Sequence, residues 1–328
     1  MHTRAGREPY DVILIFRGDV ATAKGRLADH EKNPLPAPER RRIIHGLPGI
    51  PVRTPAHGLL SCPHSPEVHT ILLYARLVRY GFRKHATYVA AALAGAFTNS
   101  VFGILRAYVL IALWQARPGL AGYDVLDAVT FCFITQAFIG PMQLFGGGLT
   151  IPERIRSGDI ALDLVRPASL QLCALAEDLG RAGYLFIVRG LPPTILGALL
   201  FGITAPDNAG AFLVSFVLGV VVSFGWRYLV ALSVCWLLDD RGTQALSLVL
   251  TTFFSGMMLP LGIFPGFLGD LAAALPWAAM VQIPMDVYLG KTDVWQALGV
   301  QVLWVAVMLG LGALGTRLIR HRVVIQGG

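Results

Sequence analysis

Charge is scarce in this chain: of its 328 residues only 14% are Asp, Glu, Lys or Arg, against roughly 25% in soluble domains. With 55% hydrophobic residues and a mean hydropathy of +0.60, that scarcity excludes a soluble globular body. Cysteine is scarce too. Cys62, Cys132, Cys173 and Cys235 form no CxxC pair, and Cys132 and Cys235 fall in apolar runs. Small packed thiols are therefore expected, not a disulfide framework or a metal site. The motifs HExxH, GxSxG and GxxxxGK[ST] are missing. The one glycine run, Gly146, Gly147 and Gly148, leads into Leu149 and Thr150 without a lysine, so it reads as a flexible exit from a span and ATP hydrolysis by this chain is not expected. The apolar patch Val12 to Phe16 falls short of the roughly 7 to 15 residues of a secretory h-region, so no signal peptide is expected. The formal charge of +7 comes from Arg and Lys at the ends of apolar runs, not from a basic face with interleaved aromatics. That argues for loops beside anionic lipid and against nucleic acid.

Long apolar runs dominate what is present. Residues 1–66 are a separate Pro- and Arg-rich material, with nine of the twenty prolines and the run Arg40, Arg41, Arg42. They are expected to be a disordered extension, with the membrane domain over 67–328. Over 71–85, apolar Leu72, Leu73, Leu77 and Tyr80 alternate with Arg76, Arg79, Arg83 and Lys84, as in an interfacial helix. Six apolar runs follow, at 86–114, 124–145, 182–203, 211–238, 243–264 and 295–316. Each meets the roughly 20 residues needed to cross a bilayer. The fold class is thus an all-α integral membrane protein of six transmembrane helices.

Positive charge sets the orientation. With the N-terminus inside, the cytoplasmic segments after residue 70 hold Arg76, Arg79, Arg83, Lys84, Arg154, Arg156, Arg166, Arg181, Arg241, Arg317, Arg320 and Arg322. The outer loops hold Arg117 and Lys291. Both termini are therefore expected in the cytoplasm. Residues 259–289 are apolar enough for a seventh crossing, but Pro260, Pro265, Pro276 and Pro284, with Gly262, Gly266 and Gly269, divide them into pieces too short to span. A re-entrant hairpin in the outer leaflet is expected, with Trp277 and Tyr288 at the interface.

One charged island interrupts the apolar runs, at 150–167 (TIPERIRSGDIALDLVRP). Thr150 with Glu153 forms a potential capping box, Pro152 suits a first turn and Gly158 can stop the helix. Asp159 then starts a second short helix, and Pro167 ends it. Ile151, Ile155 and Ile160 are available to grip membrane or partner. Glu153, Asp159 and Asp163 balance Arg154, Arg156 and Arg166. A neutral, charge-patterned surface suits specific docking, and an amphipathic connector remains the alternative.

Three arginines fall inside spans. Arg189 lies about 12 Å inward from Arg181 and Arg227 about 16 Å inward from Leu238, a shared layer that either faces an anionic substrate or pairs structurally with Glu177, Asp178 or Asp239. Arg106 is expected to snorkel outward. Pro141, Pro192 and Pro193 are expected to kink their helices. Asp239 and Asp240 raise the possibility of a magnesium-dependent membrane transferase, but no second acidic cluster follows, and helix-end solvation with Arg241 is the alternative.

The segment 151–167, IPERIRSGDIALDLVRP, resembles the cytoplasmic loop of ABC-type transporter permeases of the second, exporter-rich class. Residues 275–290, LPWAAMVQIPMDVYLG, are similar to that class's late extracellular segment. The resemblance covers about 71–324, and residues 1–66 depart from it, since the family usually begins close to its first span. It implies a multi-pass subunit of the cell membrane that dimerises, as a homodimer or with a second permease, and exports substrate when driven by a separate ATPase carrying ATP and magnesium. It also implies that Pro152, Glu153, Arg154, Arg156, Gly158, Asp159 and Asp163 contact that ATPase. Arg189 and Arg227 would lie on the substrate pathway, and Pro276, Trp277 and Pro284 would form an extracellular gate. No catalytic residue, metal or cofactor is implied in this chain. The other classes held open are an ion-gradient transporter or channel and the membrane transferase.

Overall fold

The computed structural model describes residues 66–145, 149–165, 168–237 and 241–326, with the backbone alone for 66–69 and 321–326. The readings made on most of the N-terminal extension, on Gly146 to Gly148, on Arg166, Pro167, Asp239 and Asp240, and on the side chain of Arg322 lie outside those residues.

All regular structure among the described residues is helical. The amphipathic helix α1 (Pro66–Ala86) is followed by α2 (Val89–Ala116), α3 (Val125–Met142) and the two short island helices α4 (Ile151–Ser157) and α5 (Ile160–Val165). Next come α6 (Leu170–Leu185), a π turn (Phe186–Gly190) and α7 (Leu191–Phe201), then α8 (Ala209–Leu232) and the single turn α9 (Val234–Leu237). The chain closes with α10 (Arg241–Phe254), α11 (Phe267–Ala274), α12 (Gln282–Tyr288) and α13 (Val294–Gln326).

Among the described residues five stretches are long and apolar enough to cross a membrane: Val89–Ala116, Val125–Met142, Leu170–Phe201, Ala209–Leu237 and Val294–Arg320. The third begins earlier than the hydropathy pattern predicts. Ser169 caps it by accepting from the Leu172 N–H, and Glu177, Asp178 and Arg181 do not stop the helix because each finds a partner. The run 243–264 is not one helix. It is helical only to Phe254, then turns at Gly256, whose φ of +82° suits glycine and where a Cβ would lie 2.7 Å from Gln282 Oε1. Pro192 and Pro193 do not break their span. Lacking N–H groups, they leave a ladder that widens into the π turn, in which the Leu191 N–H reaches the Phe186 carbonyl.

α3 is the hub, with nearly every residue from Ala128 to Met142 buried against its neighbours. An all-round apolar helix of this kind belongs in the middle of a bundle. The two ends of the bundle are distinct. At one end Ile151 and Ile160 of the island share a cluster with Tyr228 and with Ile319 near the C-terminal end of α13, and Lys84 of α1 bonds Glu177 at 2.8 Å. At the other, Tyr288 donates to the Thr204 carbonyl (2.8 Å) and Lys291 pairs with Asp127 (2.6 Å). The chain therefore passes from the island end to the opposite end through α10 and 255–263. Beside that passage, Trp226 of α8 donates to Ser247 of α10 at 2.7 Å.

The helix α1 is more than a surface strip, because it crosses α6 at backbone contact. A Cβ on Gly81 would lie 2.0 Å from the Glu177 carbonyl oxygen, and one on Gly180 1.9 Å from that of Val78. Backbone cannot yield as a side-chain tip can. Gly180→Ala should therefore cost about 1–3 kcal/mol and expose α1 to protease, whereas Gly183→Ala, with nothing within 4 Å, should not. Equal melting temperatures and digestion rates for the two variants would refute the tight crossing.

Candidate functional site

The island forms two short helices joined at Gly158, whose φ of +82° ends α4 in the left-handed conformation. Its expected capping box is absent. Thr150 has ψ near 0°, not the extended value of an N-cap, and makes no side-chain cap bond. The isoleucines are also turned differently from expectation: Ile151 and Ile160 are buried in the protein's own core, and Ile155 packs against it. They anchor the island, so they are not its outward grip. Arg154 donates to Asp163 across the two helices, drawing both side chains into a brace. Asp159 accepts from the Ser157 hydroxyl at 2.9 Å. Glu153, Arg156, Gly158 and Asp159 face outward, and Pro152 is buried. Leu162 and Val165, 66% and 85% exposed, add an apolar edge to that face. The charge pattern drew attention away from their exposure, which depends on how the island is seated and carries no signal in the sequence.

Behind the island lies a buried charge knot. Arg181 is counted as a loop charge by sequence, but the structure places it on α6 at 5% exposure. Its Nε donates to Asp178 Oδ1 (2.8 Å), and its terminal nitrogens donate to the carbonyls of Gly140 (2.9 Å) and Pro141 (2.7 Å). Arg227 of α8 donates to both oxygens of Asp178, at 3.1 and 2.6 Å. The Ser223 hydroxyl donates to the Met142 carbonyl at 2.6 Å. A helix end leaves its last carbonyls without intrahelical partners, and here two neighbouring helices supply donors and a cation at the negative end of α3. Asp178, weighed by sequence only as one possible partner, is the centre of the knot, and the side chain of Arg227 is taken up by it.

Arg189 is not in that knot. It sits in the π turn with its guanidinium against Gly95 of α2, where an added Cβ would lie 2.3 Å from Nε. Arg189 and Arg106 line one cavity of about 880 Å³ between α2, α3 and the π turn, within the usual range of ligand pockets. Arg106 does not snorkel to the end of α2; it donates to Thr135 Oγ1 (3.1 Å) and to the Met258 carbonyl (2.8 Å).

The opposite end holds the hairpin of α11 and α12. Pro276, Trp277 and Pro284 are all buried, and so is Tyr288. The interfacial placement expected for Trp277 and Tyr288 is therefore corrected. Trp277 meets Trp226 edge to face at 4.9 Å, and Tyr288 meets Phe212 at 4.9 Å, both on α8. Gln301 of α13 donates to the carbonyls of Ser215 (3.0 Å) and Ala279 (2.9 Å), tying the hairpin turn to α8 and α13. Where this hairpin meets the start of α3, Gln282 donates to the Tyr123 hydroxyl and to Asp286, each at 2.9 Å, and Tyr123 donates to Asp286. Burial holds the Asp286 carboxyl above its ordinary range, against the pull of those donors and of Lys291. Burial and the neighbouring Asp286 also raise Tyr123. Gln282 carries no signal in the sequence, because a lone glutamine in an apolar stretch becomes a hub only through non-local contacts.

Among the described residues no group of His, Cys, Asp or Glu is arranged to hold a metal. The family model described as "ABC-2 family transporter protein" matches residues 101–314, which include the island, the charge knot, Arg106, Arg189 and the hairpin. No curated protein matches the chain.

Proposed function

The chain belongs to the ABC-2 transporter family, and from that premise we propose that it is the membrane permease of an ATP-driven exporter, working as a dimer with a second permease. Separate ATPase subunits would dock on the outward face of α4 and α5 at the cytoplasmic membrane surface. The reading is carried by the way the island is seated. Its exposed face bears Glu153, Arg156 and Asp159 with Leu162 and Val165, while Ile151 and Ile160 are keyed into α8 and α13. A push on that face is delivered to two long helices as a rigid-body displacement. Placing α1, the island and the end of α13 in the cytoplasm follows the positive-inside rule. The passage through α10 and 255–263 then serves as the sixth crossing, its broken backbone covered by protein, as the bilayer requires.

The hairpin around Pro276, Trp277 and Pro284 closes the outer end in this reading. Its clamp through Gln301 links it to α8, which also carries Arg227 of the charge knot. Outward opening would shift α8 and the hairpin together. The test is biochemical: membranes expressing the tagged chain should yield a co-purifying ATPase whose activity rises when the two are reconstituted together. Transport that persists after every candidate ATPase is deleted would overturn the reading.

A further inference from the structure

Apart from Arg317 and Arg320 at the end of the last one, the crossing helices of the described residues hold four arginines, Arg106, Arg181, Arg189 and Arg227. Asp178 serves Arg181 and Arg227 together, whereas Arg106 and Arg189 form no ion pair among the described residues. Each keeps a buried Nε–H with no hydrogen-bond partner there, and between them the buried Gln136 Oε1 is likewise unpartnered. An unpaired guanidinium at membrane depth is costly, and so is each unsatisfied donor. All three groups line the same cavity.

The cavity has a direction and a rim. Gly95 faces Arg189, Asn99 of α2 donates to the Gln136 carbonyl (3.3 Å), and Arg106 bonds Thr135. The polar groups thus step along α2 over about 16 Å. The rim is apolar: Phe102 and Leu105, each about 60% exposed, stand where α2 turns away from the bundle. A soluble anion would satisfy the arginines and leave that rim bare; an apolar drug would cover the rim and leave the arginines unpaired.

We propose that this cavity binds an anionic amphiphile, whose phosphate, sulfate or carboxylate head is held by Arg189 at one station and Arg106 at another while its hydrocarbon tail lies along the exposed face of α2. Gln136 accepts from a hydroxyl of the head. The inference names the substrate class for the permease reading and rests on that reading only for the direction of travel. Gly95 is part of the site, because the absence of its Cβ is what lets the Arg189 guanidinium reach its seat.

Binding is measured on the purified full chain in phosphatidylcholine nanodiscs without any ATPase, so that a failed permease reading and a failed binding site give different results. The probe is lysophosphatidic acid with a fluorophore on its acyl chain, set against a monoacylglycerol of the same chain and against inorganic phosphate. Saturable binding of the anionic probe is expected, with both comparators weaker by about tenfold or more. Arg189→Gln and Arg106→Gln should each weaken the probe by about tenfold. Gly95→Ala should weaken it similarly, while the melting temperature in the same discs does not fall, since alanine favours the helix and displaces only a side-chain tip. Equal binding of monoacylglycerol would remove the role of charge, and equal binding of phosphate would remove that of the tail. Unaltered affinity in all three variants would place the site elsewhere. Absence of saturable binding, with a second copy cross-linking through α2, would assign this face to the dimer and overturn the proposal.

Discussion

Replacing Asp178 with alanine should destabilise the protein by about 3–5 kcal/mol, the cost of leaving buried guanidinium groups without their counter-charge. Asp178 is 3% exposed and accepts three donations at 3.1 Å or less, from Arg181 and Arg227. Its removal would leave two cations facing each other behind the end of α3. Arg181 would keep the Gly140 and Pro141 carbonyls, but those bonds do not neutralise its charge. The loss is read as a lower melting temperature in detergent, on the order of 10 °C. Removing the whole knot, with Asp178→Leu, Arg181→Met and Arg227→Met together, should recover much of that loss, because no uncompensated charge remains. A single Asp178→Ala variant that melts with the wild type would show that solvent or lipid already screens the knot.

Reversing the outward charges of the island should separate coupling from folding. Glu153→Arg with Arg156→Glu keeps net charge constant and alters side chains on an exposed face, where substitutions usually stay within about 0.5 kcal/mol of neutral. Under the permease reading, transport and partner-stimulated ATP hydrolysis should fall by about tenfold or more, equivalent to about 1.4 kcal/mol in the effective barrier. Leu162→Glu should do the same through the apolar edge. Melting temperature should hold in both cases. Full transport in the charge-reversed and Leu162→Glu variants would reduce the island to a connector between α3 and α6.

Five of the six expected spans were legible because lipid-spanning helices need long apolar runs, whereas the run 243–264 is as apolar but leaves the helix after Phe254. Gly158 was legible for a local reason: a glycine after a short charged helix is the cheapest left-handed stop. The capping box failed on the same ground of locality, since Thr150 and Glu153 have the right spacing but the wrong ψ at residue 150. Trp277 was misplaced because a tryptophan near an expected membrane surface is usually amphipathic, and its partner Trp226 comes from a distant helix. The charge knot was half visible, with Asp178 weighed as one partner among several. That one carboxylate joins two arginines and the end of a third helix is a fact of packing that no spacing announces.

The burial of α3 carries a mechanical consequence. The apolar window of this helix is 83% buried, against 22% for Leu170–Phe201 and for Val294–Arg320, and its last carbonyls are gripped by Arg181 and Ser223 from two sides. Such a helix has no free flank along which to slide. Under the permease reading it would be the axle of the subunit: the surrounding helices would swing around it, and the stroke would be measured by how far they turn while α3 stays still.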